Sequence, residues 1–283
     1  MQGRNLTEKY LVMLKKIKET STFIQAATGF KAETGIVLGT GLGGLVNEIE
    51  IIQTLPYSAI PHFPVSTVEG HKGEMIFGRI AGKNIIAMLG RFHFYEGYDM
   101  QSVTFPIRVM KDLGINTLCV SNASGGLNPG FKVGDLMMIN DHINMFGTNP
   151  LIGPNLNELG TRFPDMSQPY DHHLCTLARE IAIANHIDLK EGVYIGVTGP
   201  TFETPAEYKM FRILGGDAIG MSTVPEVIIA RHMGMRVFGI SIITDSGVPG
   251  EIVEISHEEV QEVARKAEPK MSLIIRELIS RIG

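Results

Sequence analysis

Four short stretches of this chain gather residue types suited to one task, holding an anion beside an organic ligand. The first reads Gly39, Thr40, Gly41, Leu42, Gly43, Gly44, which meets the Gly-x-Gly-x-x-Gly spacing of a dinucleotide loop. Glycines let backbone N–H groups approach an anion closely, and the Thr40 hydroxyl adds a donor. A nicotinamide dinucleotide also needs a carboxylate closing the second strand, about 20 residues further on. Residues 53–64 contain none. A phosphate is compatible with the run, and so is a plain tight turn.

The second stretch is Arg91, Phe92, His93, Phe94, Tyr95, Glu96. In an extended chain Arg91, His93 and Tyr95 share one face. A cation, an imidazole and a phenol together suit an anionic, hydroxylated ligand; an ordinary ion pair on a solvated margin would use the same residues. In the third stretch, Met221 to Glu226, Thr223 and Glu226 have capping-box spacing and Pro225 suits a first helical turn. Ser222 then sits at a helix N-terminus, where free N–H groups and the helix dipole favour an anion. A simple cap explains these residues equally well. The fourth, Asn122, Ala123, Ser124, Gly125, Gly126, reads as a strand passing into a glycine loop with further backbone donors. Two carboxylates add to these stretches. Glu203 lies between a strand and a helix, and Asp245 ends a strand; each is either a functional group or a solvated loop acid.

These positions make sense only if strands deliver them to one place. Apolar runs predict strands at 36–38, 75–77, 85–89, 118–120, 136–139, 193–197 and 237–243. Helical spacing predicts helices at 5–20, 102–113, 171–185, 205–214 and 224–233. Ser256 and Glu259 form a capping box that starts the last helix. Alternating strands and helices indicate an α/β sheet covered on both faces. The strands on either side of Gly82 are too close for a crossover and must pair antiparallel, so the sheet is mixed. Residues 147–170 contain four prolines and read as a long functional loop. With no linker, repeat or charge block, residues 1–283 are expected to form a single domain.

Composition sets outer limits. Hydrophobic residues make up 44% and charged residues 19% of 283, an ordinary balance for a chain with a sizeable core. The net charge of -5 argues against a sequence-independent nucleic-acid binder. Cys119 and Cys175 show no metal-ligand spacing and are expected to be buried free thiols. The N-terminal residues carry no signal-peptide core, and no run reaches the length that spans a bilayer. The expectation is a cytoplasmic protein with no membrane or nucleic-acid partner.

Taken in order along nearly the whole chain, these stretches resemble the trimeric, low-molecular-weight class of purine nucleoside phosphorylases. The resemblance also draws on Gly70-His71 with Gly73, on residues 122–129, on Asp141-His142-Ile143-Asn144 and on residues 199–204 and 221–232. It implies a mixed, twisted α/β sheet of the phosphorylase/hydrolase-like kind and the reversible phosphorolysis of purine ribo- or deoxyribonucleosides. It implies no metal and no cofactor, with inorganic phosphate as co-substrate, and a homotrimer. Thr40, His71, Arg91, His93, the backbone of Ala123 and Ser222 would hold phosphate. Tyr95 and Met221 would contact ribose, His257 its 5′-hydroxyl, Phe202 the base, and Glu203 the purine N1–H. His93, Glu203 and Asp245 would serve the chemistry. Phe146 is the candidate aromatic for closing a neighbouring subunit's pocket. Asp245 departs from the commoner Asn: an ionised Asp only accepts hydrogen bonds, so it suits a 6-amino group better than a 6-oxo group. Asp at this place occurs in methylthioadenosine phosphorylases, the alternative reading, against which Glu203 and His257 stand.

Overall fold

Ile17 and Ile24, seven residues apart, are both buried and extend one apolar stripe beyond the predicted end of the first helix. In the computed structural model, helix α1 therefore spans Gln2–Thr28. It stops where Gly29 takes a left-handed φ of 59°, the usual helix terminator. The structure describes residues 2–39, 43–65 and 72–282, with residues 2–10 as backbone alone.

Among the described residues the strands are β1 (Thr34–Leu38), β2 (Glu50–Pro56), β3 (Glu74–Ile80), β4 (Lys83–Leu89), β5 (Thr117–Gly126), β6 (Leu136–Asn144), β7 (Leu189–Gly196), β8 (Ala218–Gly220) and β9 (Arg236–Ser246). The further helices are α2 (Met100–Asp112), α3 (His172–Ala184), α4 (Pro205–Ile213), α5 (Val224–His232) and α6 (His257–Arg281). The strands form one mixed sheet in the order β2-β3-β4-β1-β5-β8-β7-β6-β9, and β9 pairs back onto β5. One half of the sheet is thus open and the other closes on itself. As expected, β3 and β4 form an antiparallel hairpin. Ser256 caps α6 by accepting from the Glu259 amide, with the Glu259 side chain reaching back. Residues 147–170 contain neither helix nor strand.

Three features differ from the sequence reading. β2 and the three-residue β8 were not predicted. The stretch 122–126 is not a loop: β5 runs through Gly126, paired in parallel with β9 along its length. The glycines are there for room. A Cβ on Gly125 would lie 2.9 Å from Asp245 Oδ2, and one on Gly126 2.8 Å from Ile243 Cγ2.

The parallel set β4, β1, β5 and β9 points its carboxyl ends the same way. Gly39 after β1, the loop after β4, the last residues of β5 and β9, and the N-termini of α5 and α6 all gather at that margin, where open α/β sheets build ligand sites. Cys119 and Cys175 are free and buried, and burial pushes their thiols up to about 12 and about 11, away from reactive thiolate chemistry.

Candidate active site

Arg91 follows β4 directly and is 2% exposed, so its charge requires internal partners. Its Nε donates to Glu226 Oε1 at 2.9 Å, and Nη1 donates to the Ser121 carbonyl at 2.7 Å and to Ser222 Oγ at 3.5 Å. Gly39 makes this packing possible: a Cβ there would sit 2.8 Å from Ser121 O and 2.9 Å from Arg91 Nη1. Ser222 reaches the guanidinium from just before α5. Its position depends on Thr223, which holds a φ of 68°, an outlying conformation for a β-branched residue.

The surrounding hydrogen bonds hold that turn. Asn122 Nδ2 donates to Thr223 Oγ1 at 2.8 Å, Ser241 Oγ donates to Asn122 Oδ1, and Ser124 and Ser241 share a bond of 2.6 Å. The predicted capping box of Thr223 and Glu226 is absent. The Thr223 hydroxyl makes no cap bond, because it serves Asn122, and the Glu226 carboxylate is turned inward to Arg91.

His93 donates its backbone N–H to Glu96 Oε1 at 2.7 Å, and its Nδ1 lies 3.3 Å from the same oxygen. The ring stacks on Tyr95, 4.7 Å between centroids at 14°. The short 3₁₀ turn Phe94–Glu96 brings Tyr95 beside His93, where the sequence reading assumed an extended run. Burial, chiefly, lowers the His93 pKa, leaving a neutral imidazole at neutral pH. Burial also pushes the Tyr95 phenol up to about 12, so it remains a donor.

These side chains line one pocket with Asn122, Ala123, Ser124 and Gly125, with Met221 and Ser222, with Phe202, Glu203 and Asp245, and with His257. The structure therefore brings the predicted site residues together, apart from three. Thr40 and His71 lie outside the described residues. Phe146 is 5% exposed and packs edge-on against Phe94 of its own chain at 6.3 Å; it is a core residue and cannot reach into a neighbour. Leu45, at the end of the glycine run, donates its amide to Glu268 Oε1 of α6 at 2.9 Å. An internal carboxylate thus occupies this part of the run.

The far end of the pocket is acidic. Burial, followed by the charge of Asp245, pushes Glu203 up to about 7. Burial also raises Asp245, against hydrogen bonds from Thr244 and Tyr208. His257 opens α6, and its Nε2 is buried without a hydrogen-bond partner, a donor or acceptor left for a ligand. The pocket therefore runs from a cation with hydroxyl and imidazole groups, past a phenol and a thioether, to two carboxyls with an exposed aromatic, Phe202. It is built for an anion at one end and a heterocycle with N–H groups at the other.

Sequence reasoning named Asn122 and Glu226 without their supporting roles and missed Ser241 and Tyr208. Glu226 had a signal: it is the only carboxylate in α5, and its neighbours from Val224 to Ala230 are all buried. A lone acid inside an apolar helix implies a buried cation nearby. Two features argue against a dinucleotide site. β1 is followed by a 3₁₀ turn, and β2 pairs antiparallel with β3, so the glycine run does not open a βαβ unit.

Comparison with known proteins agrees with this geometry. The sequence signature of the phosphorylase superfamily matches residues 33–280. Purine nucleoside phosphorylase 1 of Bacillus subtilis (strain 168) is 51% identical over 269 residues, covering 95% of this chain and 99% of that protein. The crystal structure of Schistosoma mansoni purine nucleoside phosphorylase in complex with adenosine superposes with a TM-score of 0.90 at 41% identity, covering 95% of this chain and 98% of that one. A schistosoma purine nucleoside phosphorylase in complex with hypoxanthine superposes equally well, with the same identity and coverage.

Proposed function

The chain belongs to the purine nucleoside phosphorylases of the phosphorylase superfamily, and from that premise we infer how its pocket carries out the reaction. The reaction is the reversible phosphorolysis of purine nucleosides to the free base and pentose 1-phosphate. The observation that carries the reading is a single pocket with Arg91 and Ser222 at one end and Glu203 with Asp245 at the other. Arg91, His93, Ser222 and the Ala123 backbone hold the phosphate dianion. Tyr95 and Met221 flank the ribose, His257 meets its 5′-hydroxyl, and Phe202 packs on the base. Glu203 accepts from N1–H of a 6-oxopurine.

In the reaction a phosphate oxygen bonds to the anomeric carbon as the bond from that carbon to the purine N9 breaks. The electron pair leaves with the base. Positive charge develops on the ribose first, as in glycoside hydrolysis, and the phosphate beside it stabilises that charge. Glu226 and Ser121 fix the Arg91 fork before substrate arrives, so the phosphate is positioned at low entropic cost and in a preorganised field. Asp245, when it carries a proton, donates to N7 or O6 and stabilises the departing base. No cofactor enters this scheme, and phosphate is the co-substrate. Asp245 in place of Asn extends the accepted bases toward 6-aminopurines.

A homotrimer in the cytoplasm completes the reading. Assembly is supported by large apolar side chains left exposed on the single chain between β6 and α3, notably Ile152 at 61% and Phe163 at 84%. Among the described residues no helix is long and apolar enough to cross a membrane. Mass photometry tests the trimer, and a monomeric mass would refute it. The activity test incubates inosine, guanosine and adenosine with and without inorganic phosphate. Phosphate-dependent release of base together with pentose 1-phosphate is the expected result. Base release that ignores phosphate would overturn the reading.

A further inference from the structure

Two acids face the base end of the pocket, and one buried phenol stands behind them. Tyr208, in the first turn of α4, is 4% exposed. Its Oη donates to Asp245 Oδ2 at 3.2 Å, while Thr244 Oγ1 donates to Asp245 Oδ1 at 3.0 Å. Glu203 opens onto the same pocket as Asp245. The ring is wedged over Gly247, where a Cβ would lie 2.4 Å from Tyr208 Cδ1. The phenol has a single proton to donate, and in the structure Asp245 receives it.

The titratable groups facing Asp245 are Tyr208 of α4 and Glu203 of the preceding loop, with Glu207 behind Glu203. From β5 its neighbours are glycines. His257 of α6 and, farther along, Arg91, His93 and Tyr95 open onto the same pocket. No cation is among the groups that shift either acid. The charge of Asp245 opposes ionisation of Glu203, so the two acids resist losing both protons at once. Between the two titration steps the pair holds one proton.

The placement of that proton matches the two purine types. With the proton on Asp245 and Glu203 ionised, the pair donates to O6 and accepts from N1–H, as a 6-oxopurine requires. With the proton on Glu203 and Asp245 ionised, it donates to N1 and accepts from the 6-amino group, as a 6-aminopurine requires. Building on the phosphorylase reading above, we propose that Tyr208 is a positioning residue that sets which of Glu203 and Asp245 holds the shared proton, and so sets the balance between 6-amino- and 6-oxopurine substrates. Its bond to Asp245 favours the ionised form of that acid and tilts the pair toward 6-aminopurines. Burial pushes Glu203 up to about 7 and raises Asp245 as well, which favours retention of that proton.

The test measures kcat/KM for adenosine and inosine across pH 5.5–8.5 in the intact enzyme and in Tyr208→Phe, with saturating phosphate. Removing one donor that biases the pair by about one pKa unit lowers the adenosine-to-inosine ratio about tenfold at every pH. A purely structural role would lower both substrates together and leave the ratio unchanged, which overturns the proposal. In an Asp245→Asn background there is no proton to place, so Tyr208→Phe leaves the ratio within about twofold; a further tenfold shift there overturns it too. If the Phe variant does not fold, Gly247→Ala displaces the ring from behind and must move the ratio in the same direction. An intact enzyme that cleaves neither nucleoside with phosphate would instead refute the phosphorylase reading, a failure visible before any variant is made.

Discussion

Arg91→Ala separates substrate binding from fold stability in a way the structure makes quantitative. Phosphate loses a charge-assisted hydrogen bond worth about 1.5–3 kcal/mol, which is a rise of about 10- to 150-fold in KM for phosphate. The nucleoside end of the pocket is untouched, so KM for inosine should change by less than about threefold. The same substitution strands Glu226, 3% exposed, whose Oε1 was paired with Arg91 at 2.9 Å. Breaking such a buried pair by removing one partner costs about 3–5 kcal/mol, a fall of about 6–20 °C in Tm for a chain of this size. Adding Glu226→Gln removes the orphan charge and should restore most of that loss without restoring phosphate binding. Steady-state kinetics with each substrate varied in turn, alongside thermal melts of both variants, tests both parts. Equal rises in the two Michaelis constants would refute Arg91 as the phosphate cation, and an unchanged melt would refute the account of its pairing.

Asn122→Ala removes the donor that holds the outlying Thr223, and it should cost about 1–3 kcal/mol in denaturant unfolding and lower kcat/KM by displacing Ser222. Gly39→Ala places a methyl 2.9 Å from Arg91 Nη1 and should raise KM for phosphate while KM for nucleoside stays constant. Glu203, pushed up from its ordinary value of 4.5 to about 7, binds more protons folded than unfolded across that interval. Stability therefore falls as pH rises from 4.5 to 7, by at most about 3 kcal/mol. Melts of the free enzyme should show this slope, and Glu203→Gln should flatten it, though not fully, because Asp245 is shifted in the same direction.

Periodicity and punctuation made most of the sheet legible. Short apolar runs ending in glycine located β1 and β4, a longer apolar run located β9, and the Ser256–Glu259 box located the start of α6. β2 escaped because it is solvated on both faces, with Ile51 and Ile52 half exposed, and so shows no alternation. The loop assigned to 122–126 failed for another reason. Glycine was read as a turn signal where it marks close packing, with Asp245 against Gly125. The residues that line the pocket were legible because their types declare their chemistry. Their supports were not. Glu226 and Thr223 have ordinary capping spacing; a lone acid in an apolar helix points to a buried cation, but the fold is needed to show that it is Arg91 and that Thr223 accepts from Asn122. Phe146 was misassigned because sequence places an aromatic in a loop without saying which way the ring turns.

The return of β9 onto β5 has a consequence for behaviour in concentrated solution. A sheet closed at one side offers unpaired backbone to other chains only at its opposite flank, which among the described residues is the outer side of β2. That flank is poorly suited to recruiting a foreign strand: its register slips between Ile51 and Gln53, Glu50 brings charge, and Pro56 withholds an N–H. Intermolecular β-pairing, the common route to amorphous precipitation and fibrils, therefore has one poor point of entry.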